Sequence, residues 1–148
     1  MYSLYINNKS GTLIYQKDFS TSVNHSANDK IRLASTFHGL CAISQQIAPL
    51  PAPKPGSFSF LQPDGISFVE ADTFKLQCFE TLTGMRFFVV AQPGIQDLAP
   101  FLKQIYEAYS DWVLKNPFYE QDQPVRVESF DKQVMRIWEA WRPVVGAV

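Results

Sequence analysis

Two short runs rich in Tyr, Ile and Leu, residues 2–6 and 12–17, flank Asn7-Asn8-Lys9-Ser10-Gly11, a stretch with turn chemistry and a glycine able to take positive φ. They predict an N-terminal β-hairpin. Residues 18–28 are polar, after which Leu33, Ala34, Phe37, Leu40, Cys41, Ser44 and Ile47 recur at helical spacing and predict a helix over about 28–48. Ser26 with Asp29, or Asn28 alone, can accept from its first free N–H groups, and Pro49 stops it. A proline-rich stretch, about 49–64, follows as a surface linker, in which Phe58, Phe60 and Leu61 alternate with serines as in an edge strand or a docked flap.

From residue 65 the period becomes two. Ile66 and Phe68, then Phe74, Leu76 and Cys78, alternate with polar neighbours, and Thr81-Leu82-Thr83-Gly84 supplies a turn. Met85 to Ala91 is almost continuously apolar, as a central strand covered on both faces requires. Leu98, Phe101, Leu102, Ile105, Tyr109, Trp112 and Val113 then trace one helical face, with Asp97 placed as N-cap, Pro100 in the first turn, and Asn116-Pro117 as the stop. A last helix, about 129–141, rests on Phe130, Val134, Ile137, Trp138 and Trp141. Pro143 is expected to end it, leaving a tail of about 142–148. The order β-β-α-β-β-β-α-α predicts an α+β fold: one domain over 1–148, a five-stranded, mainly antiparallel sheet with helices able to cover both faces.

Composition adds two constraints. Only 18% of residues are charged, against roughly 25% in an average domain. Aromatic residues make up 14%, so the surplus of rings over charges hints at surface buried against partners. The net charge of -1 and the lack of any run of five like charges argue against nucleic acid and against anionic lipid as ligands. The short apolar start has no basic leader, and no stretch approaches eighteen apolar residues, so a soluble, intracellular protein is expected. Cys41 and Cys78 lie in no C-x-x-C and beside no histidine pair, which predicts buried free thiols rather than zinc or a disulfide.

Candidate chemistry is sparse. His25 lies in the polar loop, and His38 falls on the first helix's flank, where an exposed or interface role is expected. No H-E-x-x-H, no G-x-S-x-G and no clustered glycines occur, and Glu70 and Asp72 read as a solvated strand end. No catalytic, cofactor-binding or metal-ligating residue is expected, and the chain reads as no enzyme. The outward side of the first helix carries Arg32, Ser35, His38, Gly39, Gln45 and Gln46, with Ile31 and Ala42 among them and Ile43 flanking. Such a face suits an ordinary solvated helix or the charge-depleted centre of a protein interface.

Several blocks then resemble one family. The opening Tyr2 to Tyr15 (YSLYINNKSGTLIY), the helix segment Leu33 to Ile43 (LASTFHGLCAI), Glu70 to Cys78 with Thr81 to Gly84, and Ile105 to Asp111 running on to Lys115-Asn116-Pro117-Phe118-Tyr119 look like the synbindin family, sedlin-like longin subunits of the TRAPP tethering complex. The likeness spans residues 2 to about 135. It implies a longin (profilin-like) fold and a non-enzymatic core subunit of a complex working in endoplasmic reticulum to Golgi traffic. As an assembly, that complex promotes nucleotide exchange on a Ypt/Rab-type GTPase. The implied partners are a second small longin subunit and Bet-type subunits, with peripheral association at endoplasmic reticulum and Golgi membranes through the complex.

Animal and yeast synbindins resemble the chain but carry a PDZ-like insertion before the first helix, where only the loop of about 18–28 stands here. The proline-rich stretch looks longer than the usual connection. On the longin reading, the outward face (Ile31, Arg32, Ser35, His38, Gly39, Ala42, Gln46) and the strand edge (Ile66, Phe68, Glu70) are expected to dock the partner longin. Lys115, Asn116, Phe118 and Tyr119 form a second candidate contact, unless Phe118 and Tyr119 close the core instead. Rival readings are a profilin-like small-molecule binder, which needs a pocket with convergent polar groups, and a longin of SNARE or adaptor type, which would continue into heptads.

Overall fold

The computed structural model describes residues 3–20, 26–47, 66, 68–94 and 98–146, with side chains as far as Trp141. Five strands, β1 (Ser3–Asn7), β2 (Leu13–Asp18), β3 (Phe68–Glu70), β4 (Lys75–Glu80) and β5 (Arg86–Ala91), form one sheet in the order β2-β1-β5-β4-β3. Every neighbouring pair is antiparallel. Helix α1 (Ala27–Ile47) enters between β2 and β3, and α2 (Ala99–Tyr109) and α3 (Glu128–Gly146) follow β5. The predicted α+β element order and five-stranded sheet are the observed ones. His25, Asp97 and the proline-rich stretch of about 49–64, with Phe58, Phe60 and Leu61, lie outside the described residues.

The central strands explain the two-layer packing. Every residue of β1 and β5 is buried, and their register runs from Ser3 opposite Val90 to Asn7 opposite Arg86. Successive side chains alternate between faces, so Tyr5, Phe88 and Val90 meet Ala34, Phe37 and Cys41 of α1, together with Leu76 of β4. Leu4, Ile6, Phe87 and Val89 meet Leu102 and Ile105 of α2 and Phe130 and Val134 of α3. The α1 layer is pinned by rings: Tyr5 stacks on Phe88 at 5.0 Å, and Phe37 lies 4.6 Å from the same ring. Each fully buried ring contributes about 1.5–3 kcal/mol, so these three are central to holding α1 on the sheet.

Local chemistry sets the element ends. Ser26 Oγ accepts from the Asp29 N–H at 3.2 Å while the Asp29 carboxylate takes the Ser26 hydroxyl at 2.9 Å, a reciprocal cap for α1. Three expectations need correction. The N-cap of α2 is Leu98, not Asp97: its N–H donates to Gln77 Oε1 of β4 at 2.8 Å, so the sheet itself satisfies the helix start. The last turn of this helix widens to a π turn over Ser110–Leu114, which keeps Val113 in the core and turns Trp112 outward to 42% exposure. Helix α3 runs through Pro143 to Gly146 instead of ending there in a tail. The proline has no N–H to donate to the Glu139 carbonyl, but the N–H groups after it can still pair.

The two edges of the sheet differ. Beside β2 the Val125 N–H donates to the Ile14 carbonyl at 2.8 Å, and Asp131 of α3 accepts from the Tyr15 hydroxyl. Beside β3 no described residue pairs.

Candidate partner-docking face

Helix α1 has three sides. At 100° per residue, Ala34, Phe37 and Cys41 form the line that faces the sheet, and all three are buried. One flank holds Ile31, Ser35, His38 and Ala42. Of these, Ile31, Ser35 and His38 line a cleft of about 380 Å³ against the hairpin turn, residues 10–13. The other flank holds Leu40, Ile43 and Ile47, exposed by 47%, 54% and 76%, and its inner neighbour Leu33 packs against the same cluster as Val69 of β3 and Cys78 of β4. Arg32, Gly39 and Gln46 lie between the flanks on the crest of the helix.

His38 is the main departure from expectation on this helix. It is half-buried, and its Nδ1 stands 2.9 Å from Nη1 of Arg86, a residue itself only 6% exposed at the start of β5. Arg86 Nη2 also faces Glu80 at 3.6 Å, while its Nε meets no partner among the described residues. The imidazole is held inward because it compensates a buried cation. Gly11 makes room for it: φ there is +86°, and a Cβ at that position would stand 2.4 Å from His38 Cγ. On the rest of the expected outward face, Ile31, Arg32, Ser35, Ala42 and Gln46 are exposed, while Gly39 and Gln45 are half-buried.

The three candidates at the strand edge split between the two faces. Phe68, 58% exposed, and Glu70 point to the α2 side of the edge, where Lys75 Nζ lies 5.8 Å from the Phe68 ring centre. Ile66 instead packs with Val69 and Leu33 against the α1 layer. Leu40 and Ile47 are the members of the exposed flank that sequence reasoning placed in the core. Their signal was available, since both lie off the Ala34, Phe37 and Cys41 line by about one residue step.

At the far end of α2, Lys115 and Phe118 are exposed and Asn116 is half-buried, whereas Tyr119 packs on the α2–α3 core and donates its hydroxyl to the Gln123 carbonyl at 2.7 Å. Of the two rings, Tyr119 joins the core and Phe118 stays exposed.

Both thiols are free. Burial pushes the Cys78 thiol up to about 12, and Cys41 is also raised, chiefly by burial, so neither is a ready nucleophile. Among the described residues no group of three His, Cys, Asp or Glu could hold a metal ion, and no helix is long and apolar enough to cross a membrane.

A model of the Sybindin-like family matches residues 1–140. The chain belongs to the Sybindin-like family. Among curated relatives, "Trafficking protein particle complex subunit 4" of Dictyostelium discoideum is 47% identical over 135 residues, covering 91% of this chain and 93% of the relative. The Bos taurus protein of the same name is 46% identical over 108 residues, covering 73% of this chain but only 45% of the relative. A third relative carries a different name: "Trafficking protein particle complex subunit 1" of Dictyostelium discoideum is 30% identical over 138 residues, covering 90% of this chain. This Sybindin-like chain is thus similar to two differently numbered subunits of one particle. That makes it a trafficking-complex subunit by family.

Proposed function

We propose that this chain is a non-catalytic core subunit of the TRAPP vesicle-tethering complex in endoplasmic reticulum to Golgi transport. Its contribution is structural: it pairs with a second small longin subunit and touches Bet-type subunits. The assembly then acts as exchange factor for a Ypt/Rab-type GTPase and brings the chain peripherally to endoplasmic reticulum and Golgi membranes. The observation that carries the pairing is the run of exposed Leu40, Ile43 and Ile47 on the flank of α1 whose inner neighbour, Leu33, packs against the same cluster as Val69 of the three-residue strand β3. An apolar helix flank with a strand edge that no described residue pairs suits a like surface, since the strand supplies main-chain hydrogen bonds and the flank supplies burial. The likeness to a subunit 1 protein supports a partner of the same fold.

The test is an affinity pull-down of tagged chain from its own cell lysate, read by mass spectrometry. Recovery of a subunit 1-type longin and Bet-type subunits is expected. A folded bait that recovers neither overturns the proposal.

A further inference from the structure

Asn116, Pro117 and Phe118 form a closed turn just beyond the last turn of α2. The Asn116 N–H donates to the Val113 carbonyl at 3.2 Å, and the Tyr119 N–H closes the turn on the Asn116 carbonyl, also at 3.2 Å. Inside it the Phe118 N–H donates to Asn116 Oδ1 at 3.0 Å. Proline at the second position presets φ for such a turn, and asparagine at the first supplies the side-chain acceptor. Tyr119 anchors the exit through its bond to Gln123 and its packing on the core. Between these fixed points Phe118 stands 93% exposed.

An exposed phenylalanine forgoes the stabilisation its ring gains on burial, which is unremarkable on a mobile tail but notable on a backbone held at both ends. The ordering cost of the segment is already met on folding, and the ring has only two torsions left to freeze on binding. We propose that Asn116–Phe118 is a preformed Asn-Pro-Phe docking turn that inserts the Phe118 ring into an apolar, basic-rimmed pocket of a separate adaptor module of the EH type.

Three observations select this occupant. The same residues also spell N-P-x-Y, but recognition of that motif by strand addition needs an extended segment upstream and a free tyrosine, whereas Ser110–Leu114 is helical and Tyr119 is engaged. Charge sets the rim: Glu120 and Asp122 are exposed beyond the turn with no salt-bridge partner among the described residues, while Lys115 is taken up by Asp111 at 3.2 Å. The local field is therefore negative and favours a basic edge on the pocket. Finally, the turn follows α2, which covers the sheet face opposite α1, so a module seated here leaves the α1 and β3 surface free.

The experiment titrates the purified full chain with a purified EH domain, followed by calorimetry. Saturable binding is expected, weakened about tenfold or more by Phe118→Ala and several-fold by Glu120→Lys with Asp122→Lys, and unchanged by Ile43→Arg. An unfolding midpoint matching wild type confirms that Phe118→Ala folds. Wild-type chain that binds no more tightly than Phe118→Ala overturns the proposal. So does loss of the other complex subunits from a Phe118→Ala pull-down, since the ring would then be buried inside the assembly.

Discussion

Arg86 and His38, 48 positions apart in sequence, are joined by a 2.9 Å hydrogen bond between Nη1 and Nδ1. A guanidinium only donates, so Nδ1 accepts and the ring proton sits on Nε2. This bond ties the middle of α1 to the start of β5 and gives a buried cation one of its two side-chain partners among the described residues.

His38→Ala is expected to destabilise the chain by about 1–3 kcal/mol, because it leaves a buried guanidinium short of an acceptor. Urea unfolding followed by circular dichroism measures it. A midpoint equal to wild type would mean that the contact carries no weight.

Two glycines are expected to respond in opposite directions. Gly11→Ala forces a side chain onto φ +86° and into the His38 ring, at a cost of about 1–3 kcal/mol. Gly39, within α1, would meet nothing within 4 Å, so Gly39→Ala is expected to add about 0.5–1 kcal/mol of helix stability. Thermal melts of the two variants beside wild type separate them.

The two flanks of α1 are expected to differ in assembly. Ile43→Arg, on the flank toward β3, removes the longin partner from a pull-down while far-UV circular dichroism stays unchanged. Ala42→Arg, on the flank toward the hairpin turn, keeps it. The reverse pattern would move the docking surface to the cleft lined by Ile31 and Ser35.

Asp18 predicts an acid limb. Burial alone would raise its carboxyl, but hydrogen bonds from Lys30 at 2.7 Å, from Ser3 at 2.9 Å and from Gln16 outweigh it and hold the group below the usual carboxylate value. A lowered folded-state value contributes stability above the unfolded pKa of about 4, lost as pH falls through the folded value. Chemical denaturation from pH 6 down to about 2 is expected to show this loss in wild type and a shallower one in Asp18→Asn.

The strands and helices were legible because burial imposes its period directly on the residues. Met85 to Ala91 reads as a doubly covered strand because β5 has a helix layer on each face. Trp112 was not legible, since a π turn shifts the phase of a helix without marking its residue types. Nor was the inward turn of His38, because Arg86 lies two elements and a long loop away. Leu40 and Ile47 failed for a different reason: an apolar residue bordering a core line looks the same whether the chain or a partner covers it. On such a surface, composition reports only that something is to be covered.

The hydrogen bond from Val125 to Ile14 has a consequence for how far this protein can assemble. It occupies the β2 edge at Ile14 with the chain's own backbone, whereas among the described residues nothing pairs with the outer edge of β3. Units with a single open side join in twos and then stop. Pairing through β3, as proposed, would therefore close on itself as a finite platform, whereas a sheet open on both sides could propagate into a filament.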